Sequence, residues 1–142
     1  MDPLHEQFIL EAMKVASQHR VLQRGCDVAR VGVMILTTRG NVFTGLAIVQ
    51  PSGLGNCAEY GAVHSMLMAG NETEICMAVA VSSDGIVLPP CGRCREFFYN
   101  INRANLAMRC LWQERPGAPL QVSTLAELLP ANWQTALWAN RD

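Results

Sequence analysis

Three cysteines and one glutamate are the residues of this sequence whose types and spacing could do chemistry. Cys57-Ala58-Glu59 is followed further along the chain by Pro90-Cys91-Gly92-Arg93-Cys94. Two residues between Cys91 and Cys94 set their sulfurs about one helical turn apart on one face, a usual zinc-chelating spacing. Cys57 brings a third sulfur from a separate segment. Each cluster opens a predicted helix, where free backbone N–H groups and the positive end of the helix dipole favour the thiolate that binds metal. Three protein ligands leave the fourth tetrahedral position open, as in zinc sites that do chemistry rather than closed structural ones. Glu59, two residues after one ligand, is placed to hydrogen-bond a water there without ligating the metal.

Three thiolates on one Zn²⁺ leave a net negative core, so charge must be withdrawn from the sulfurs. The two helix N-termini are candidates, and so are Arg93 or Arg95 as hydrogen-bond donors to the sulfurs. A closed site would need a fourth ligand. His64 is the nearest histidine, but it lies seven residues along the helix, about 10 Å from Cys57. His5 and His19 fall on the first predicted helix. A lone C-x-x-C could be a redox pair or two core thiols. In this order, at two helix starts and with proline directly before the second pair, the combination points to zinc.

The elements that position this group follow from hydrophobic patterning and turn signals. Asp2-Pro3 and Gly25 bound a first amphipathic helix within residues 1–25. Val28 to Leu36 and Val42 to Val49 read as strands joined by a hairpin at Thr38-Arg39-Gly40-Asn41. Cys57 to Ala69 is a helix ended by Gly70-Asn71, Ile75 to Ser82 a buried strand, and Cys91 to Asn102 a third helix. Leu106 to Trp112 reads as another strand, and Ser123 caps a short helix that Pro130 ends, leaving a tail over 131–142. Strands alternating with helices after an antiparallel hairpin imply a mixed sheet with helices on both faces.

The chain has 142 residues, half of them hydrophobic, which suits one domain with a real core. A formal net charge of −1 with no basic block disfavours nucleic acid as the main partner. The polar, acidic N-terminus does not read as a secretory signal, and the apolar run from Ile75 to Val81 is too short to cross a bilayer. A cytoplasmic protein is expected, with its six cysteines as ligands or thiols rather than disulfides. Cys26, Cys76 and Cys110, beside or within predicted strands, read as small buried hydrophobes.

The pattern Cys57-Ala58-Glu59 with Pro90-Cys91-Gly92-Arg93-Cys94-Arg95 resembles the cytidine deaminase superfamily, more narrowly its short-chain branch containing cytidine deaminase and blasticidin S deaminase. Thr44-Gly45, Gly70-Asn71 and Leu125 to Pro130 are also similar to that branch, and the resemblance runs from Val31 to Trp133. It implies an α/β fold, a three-layer α/β/α sandwich around a five-stranded mixed sheet, and a homo-oligomer, with a tetramer favoured. It implies one Zn²⁺ per chain on Cys57, Cys91 and Cys94, with Glu59 shuttling protons in the hydrolytic release of ammonia from a cytosine nucleoside or a blasticidin-like compound. Backbone around Ala58 and Pro90 would hold the amide edge and leaving amine. Trp133 stands where the family places an aromatic near a neighbouring subunit's active site; packing of the tail is the alternative.

Departures from the pattern concern the substrate. Where cytidine deaminases carry an Asn and a Glu that grip ribose hydroxyls, this chain has Ala47 and Val49, and Tyr60 replaces the Arg that usually follows C-A-E. Blasticidin S deaminase shares the Pro-Cys-Gly-Arg-Cys-Arg run and lacks that Glu and that Arg, but keeps the Asn. Another small aminated heterocycle, or a non-catalytic zinc-stabilised nucleoside-binding protein, stands as the alternative.

Overall fold

In a computed structural model, which describes residues 1–138, the chain opens with α1 (Pro3–Ala16). The Asp2 carboxylate caps it by accepting the Leu4 N–H at 2.8 Å. The helix predicted to reach Gly25 ends instead at Ala16, where the Ser17 N–H bonds the Met13 carbonyl. The chain then forms β1 (Arg20–Gln23), which turns at Gly25 (φ 86) into an antiparallel hairpin with β2 (Cys26–Thr37). All four β1 residues are exposed. Such a strand shows no buried alternation, and Leu22 fits a helical repeat as well as a strand. His19 therefore lies beyond α1, 3.8 Å from Asp27.

On one side of β2 runs antiparallel β3 (Val42–Val49), and β4 (Ile75–Ser82) pairs with it antiparallel as well. The turn between β2 and β3 lies where it was expected, with Gly40 at φ 85. Next to β4 runs β6 (Arg109–Trp112), the parallel neighbour, and then antiparallel β7 (Gln121–Thr124). The implied five-stranded mixed sheet is thus β3-β2-β4-β6-β7. Two short strands, β1 and β5 (Val87–Leu88), extend it to seven. The strand expected from Leu106 begins later because residues 103–107 form a 3₁₀ turn capped by the Asn102 side chain. β7 takes in Ser123, the expected helix cap; Thr124, not Ser123, caps α4 (Leu125–Leu128) in a reciprocal box with Glu127.

Alternate strand residues face opposite layers. Met34, Val79, Val81 and Leu111 pack with Phe8 and Ala12 of α1. Val33, Ile35 and Ala80 pack with Ala62 and Val63 of α2 (Ala58–Ala69) and Phe98 of α3 (Gly92–Ile101). The result is three layers, helix, sheet and helix.

Two glycines bring the helices onto the sheet. A Cβ on Gly32 would lie 2.4 Å from the Ala12 carbonyl oxygen of α1. One on Gly45 would lie 2.3 Å from both the Ala58 oxygen and the Ala62 nitrogen of α2. Gly61 meets Gly45 across this contact, so the small residues of α2 seat it on β3. Fully buried Asn105 fixes the far end of α3. It accepts from the Ile75 N–H and donates to the carbonyls of Thr73 and Phe98.

Candidate active site

The seating of α2 on β3 and of α3 on the sheet brings their first turns together. Cys57 and Cys91 are the N-cap residues, both with extended backbone, and neither side chain is used in a cap hydrogen bond. Their sulfurs are 3.7 Å apart, and the three Sγ atoms of Cys57, Cys91 and Cys94 lie within 4.8 Å of one another. A tetrahedral zinc with Zn–S bonds near 2.3 Å spaces its sulfurs about 3.8 Å apart, so the trio fits that ion. His64 lies on the exposed side of α2, and no histidine joins the cluster among the described residues.

Glu59 is buried beside the sulfurs, and its Oε2 accepts a hydrogen bond from the Cys94 thiol at 3.3 Å. Burial pushes its carboxyl above the ordinary range, partly offset by its own backbone N–H and by that thiol. Burial also raises Cys57, and it raises Cys94 most, with Glu59 and Cys57 adding repulsion. Cys91 goes the other way. Burial would lift it, but the Cys94 backbone N–H and the neighbouring thiols outweigh burial and leave it below the usual thiol range. A free N–H at the start of α3 thus favours one thiolate. Crowded thiols of this kind lose their protons to solvent when a divalent cation binds.

The arginines lie elsewhere than expected. The Arg93 guanidinium sits 4.7 Å from the centroid of the Tyr60 ring, which stacks on Phe97 at 3.9 Å. Arg95 donates from Nε to the Pro90 carbonyl at 2.7 Å and from Nη1 to the Leu128 carbonyl at 2.9 Å. One residue past Cys94, it is turned about 100° around the helix from that ligand. It braces the loop that delivers Cys91 rather than the sulfurs themselves.

A cavity of about 460 Å³ opens over Cys57, Ala58, Glu59 and Cys91. Pro90 is buried behind it, in a small void with Glu59, Leu88 and Phe98. Ala47 and Val49 both line the main cavity. Trp133 does not: it begins α5 (Trp133–Trp138), is 59% exposed, and donates from its indole N–H to Glu96 on α3. The final residues of the tail, 139–142, lie outside the described residues.

Gln50 and Asn56 also line the cavity and were not singled out from the sequence. Asn56 directly precedes the motif, and its backbone pairs with Ile48 through two 3.0 Å bonds. That bridge folds the loop of residues 50–56 back on β3. Of the remaining cysteines, Cys110 is buried, which pushes its thiol up to about 12. Cys76 is exposed and Cys26 half-buried, so the buried reading holds for Cys110 alone.

Three convergent thiols, a buried carboxyl and two helix starts over one cavity form a group that could hold a zinc ion. A family profile described as "Cytidine and deoxycytidylate deaminase zinc-binding region" matches residues 3–110. A cytidine deaminase of Halalkalibacterium halodurans is 31% identical over 102 residues, 71% of this chain and 74% of that one. The crystal structure of cytidine deaminase from Mycobacterium leprae superposes with a TM-score of 0.71 at 25% identity, covering 91% of this chain and 99% of that one. That from Burkholderia pseudomallei gives 0.71 at 26%, covering 91% and 98%. The chain belongs to the cytidine and deoxycytidylate deaminase zinc-binding family. It is a hydrolase acting on C–N bonds, and its cofactor is zinc. Among the described residues no helix is long and apolar enough to cross a membrane.

Proposed function

We propose that this chain replaces the exocyclic amino group of a cytosine nucleoside, or a compound like one, by oxygen and releases ammonia. In this reading Cys57, Cys91 and Cys94 ligate zinc and Glu59 carries the protons, all within one catalytic unit. The observation that carries it is a buried carboxyl beside three sulfurs spaced for tetrahedral zinc, on the floor of a cavity.

Bound zinc supplies the activation that lets water attack at neutral pH. Glu59 takes a proton from the attacking water and delivers it to the ring nitrogen beside the amino-bearing carbon, N3 in a cytosine. That protonation makes the carbon electrophilic. Glu59 then takes the second proton of the added oxygen and passes it to the amino group. The carbon–oxygen double bond forms as the carbon–nitrogen bond breaks and ammonia leaves, so one carboxylate serves as base and acid in turn. The backbone at Ala58 and Pro90 orients the amide edge and the departing amine. Arg95 occupies one lone pair of the Pro90 carbonyl and leaves the other for the amine.

We further propose a cytoplasmic homo-oligomer, with a tetramer favoured. Reducing conditions keep the ligand thiols available. Met68 and Trp133, 87% and 59% exposed, are large apolar groups suited to a subunit contact, and light scattering on the purified chain tests this. The test of the reaction is ammonia release from cytidine, deoxycytidine, cytosine, blasticidin S and related amines. Release that stops on chelation is expected. Silence from the zinc-loaded protein across the panel, with tight nucleoside binding, would favour a non-catalytic binding protein instead.

A further inference from the structure

We infer that the heterocycle accepted here carries an apolar substituent in place of a ribose; this rests on the deaminase reading above. The cavity of about 460 Å³ is larger than a single ring needs, so its lining also selects what the ring carries.

Much of the apolar lining comes from β3, which lends Ala47, Ile48 and Val49. Gly45 faces the backbone of α2, so Ala47 and Val49, two and four residues on, share its side of β3 and continue past the start of the helix. Both reach the cavity, joined by Val31 of β2 and Leu88 of β5. None of these four side chains can donate or accept a hydrogen bond.

The polar side chains in the lining come from elsewhere. Gln50, just after β3, donates its amide to the Cys26 thiol at 3.5 Å, and Arg93 lies over the Tyr60 ring. Asn56 stands beside Cys57, at the metal end. A polyhydroxylated sugar against the strand-built lining would leave its hydroxyls without side-chain partners. An alkyl group or a deoxygenated ring there meets only apolar surface. The substrate class is thus a cytosine-type amidine with an apolar ring substituent.

The test compares cytidine with 1-propylcytosine on the zinc-loaded protein. Affinity is read by calorimetry and turnover by ammonia release. The propyl compound should be favoured about 10- to 100-fold in both, the range over which an apolar pocket rejects an added hydroxyl. The double variant Ala47→Asn/Val49→Glu should move the ratio towards cytidine by about tenfold or more. The wild-type comparison decides the matter alone if that variant does not fold. Cytidine bound and turned over as well as the propyl compound would overturn this inference and leave the deaminase reading intact. Preferential binding of the propyl compound with no ammonia from either would uphold the apolar selection and overturn the reaction. Binding of neither compound would overturn the inference.

Discussion

Cys57, Glu59 and Cys91 reach the cavity from the first turns of α2 and α3, whereas Ala47 and Val49 reach the same cavity from β3. The helix-built part is made of ionisable groups whose proton affinities are set by burial, by one another and by a free N–H. In the proposed reaction its residues cannot change without losing the chemistry. The strand-built part holds only small and branched apolar side chains. Its residues touch no metal ligand chemistry, so they are free to vary with the compound recognised. A family can therefore hold its reaction constant while one edge strand changes what enters.

The largest effect should come from breaking the helix-built part alone. Cys94→Ser removes a fully buried sulfur from the trio. Zinc content, read by mass spectrometry, should fall well below one per chain, and ammonia release should drop by more than about a hundredfold. Val49→Thr, the matching change on β3, should leave zinc content untouched and alter only the ranking of substrates. Equal loss of zinc in both variants would erase the distinction between the two parts.

Gly45→Ala strikes where the parts meet. Its Cβ would lie 2.3 Å from α2 backbone atoms, so helix and strand must separate. A loss of about 1–3 kcal/mol in unfolding free energy is expected, together with lower turnover as Cys57 and Glu59 shift. Unchanged stability would show that α2 is not held by this contact.

The smallest effect lies outside the cavity. Arg30 donates to Asp27 from Nε at 2.8 Å and, with His19, holds the Asp27 carboxyl below its ordinary value. A depressed folded pKa contributes stability that is present above the unfolded value, about 3.9, and is lost as pH falls through the folded value. Asp27→Asn should thus lower the melting temperature near neutrality, with the gap from wild type closing below about pH 4. A gap independent of pH would rule out this ion pair as its source.

Much of the site was legible in the sequence because its parts are local. C-x-x-C and C-A-E each occupy one helix start, where spacing and capping chemistry determine where the side chains gather. The fold was legible where apolar residues run almost unbroken through a buried strand, as in β2 and β4. It was not legible in β1, whose residues are all exposed, or in β7, whose edge position leaves Gln121 and Val122 in solvent. Arg93 and Arg95 were misplaced for another reason. Proximity in sequence to a ligand gives no direction, and Arg93 found an aromatic ring while Arg95 found two carbonyls. The loop that carries Gln50 and Asn56 is folded back on β3 by the Ile48–Asn56 bridge, a backbone pairing without a compositional sign.

The central claim is that Glu59 moves protons in a zinc-dependent deamination rather than holding the metal. Glu59→Gln keeps the shape and a hydrogen-bonding oxygen but removes the titrating group. Zinc per chain and ammonia release, measured on the same preparation, test the claim most directly. One zinc per chain with turnover lowered by about 10²- to 10⁴-fold is the predicted result. Full turnover with zinc retained would contradict it.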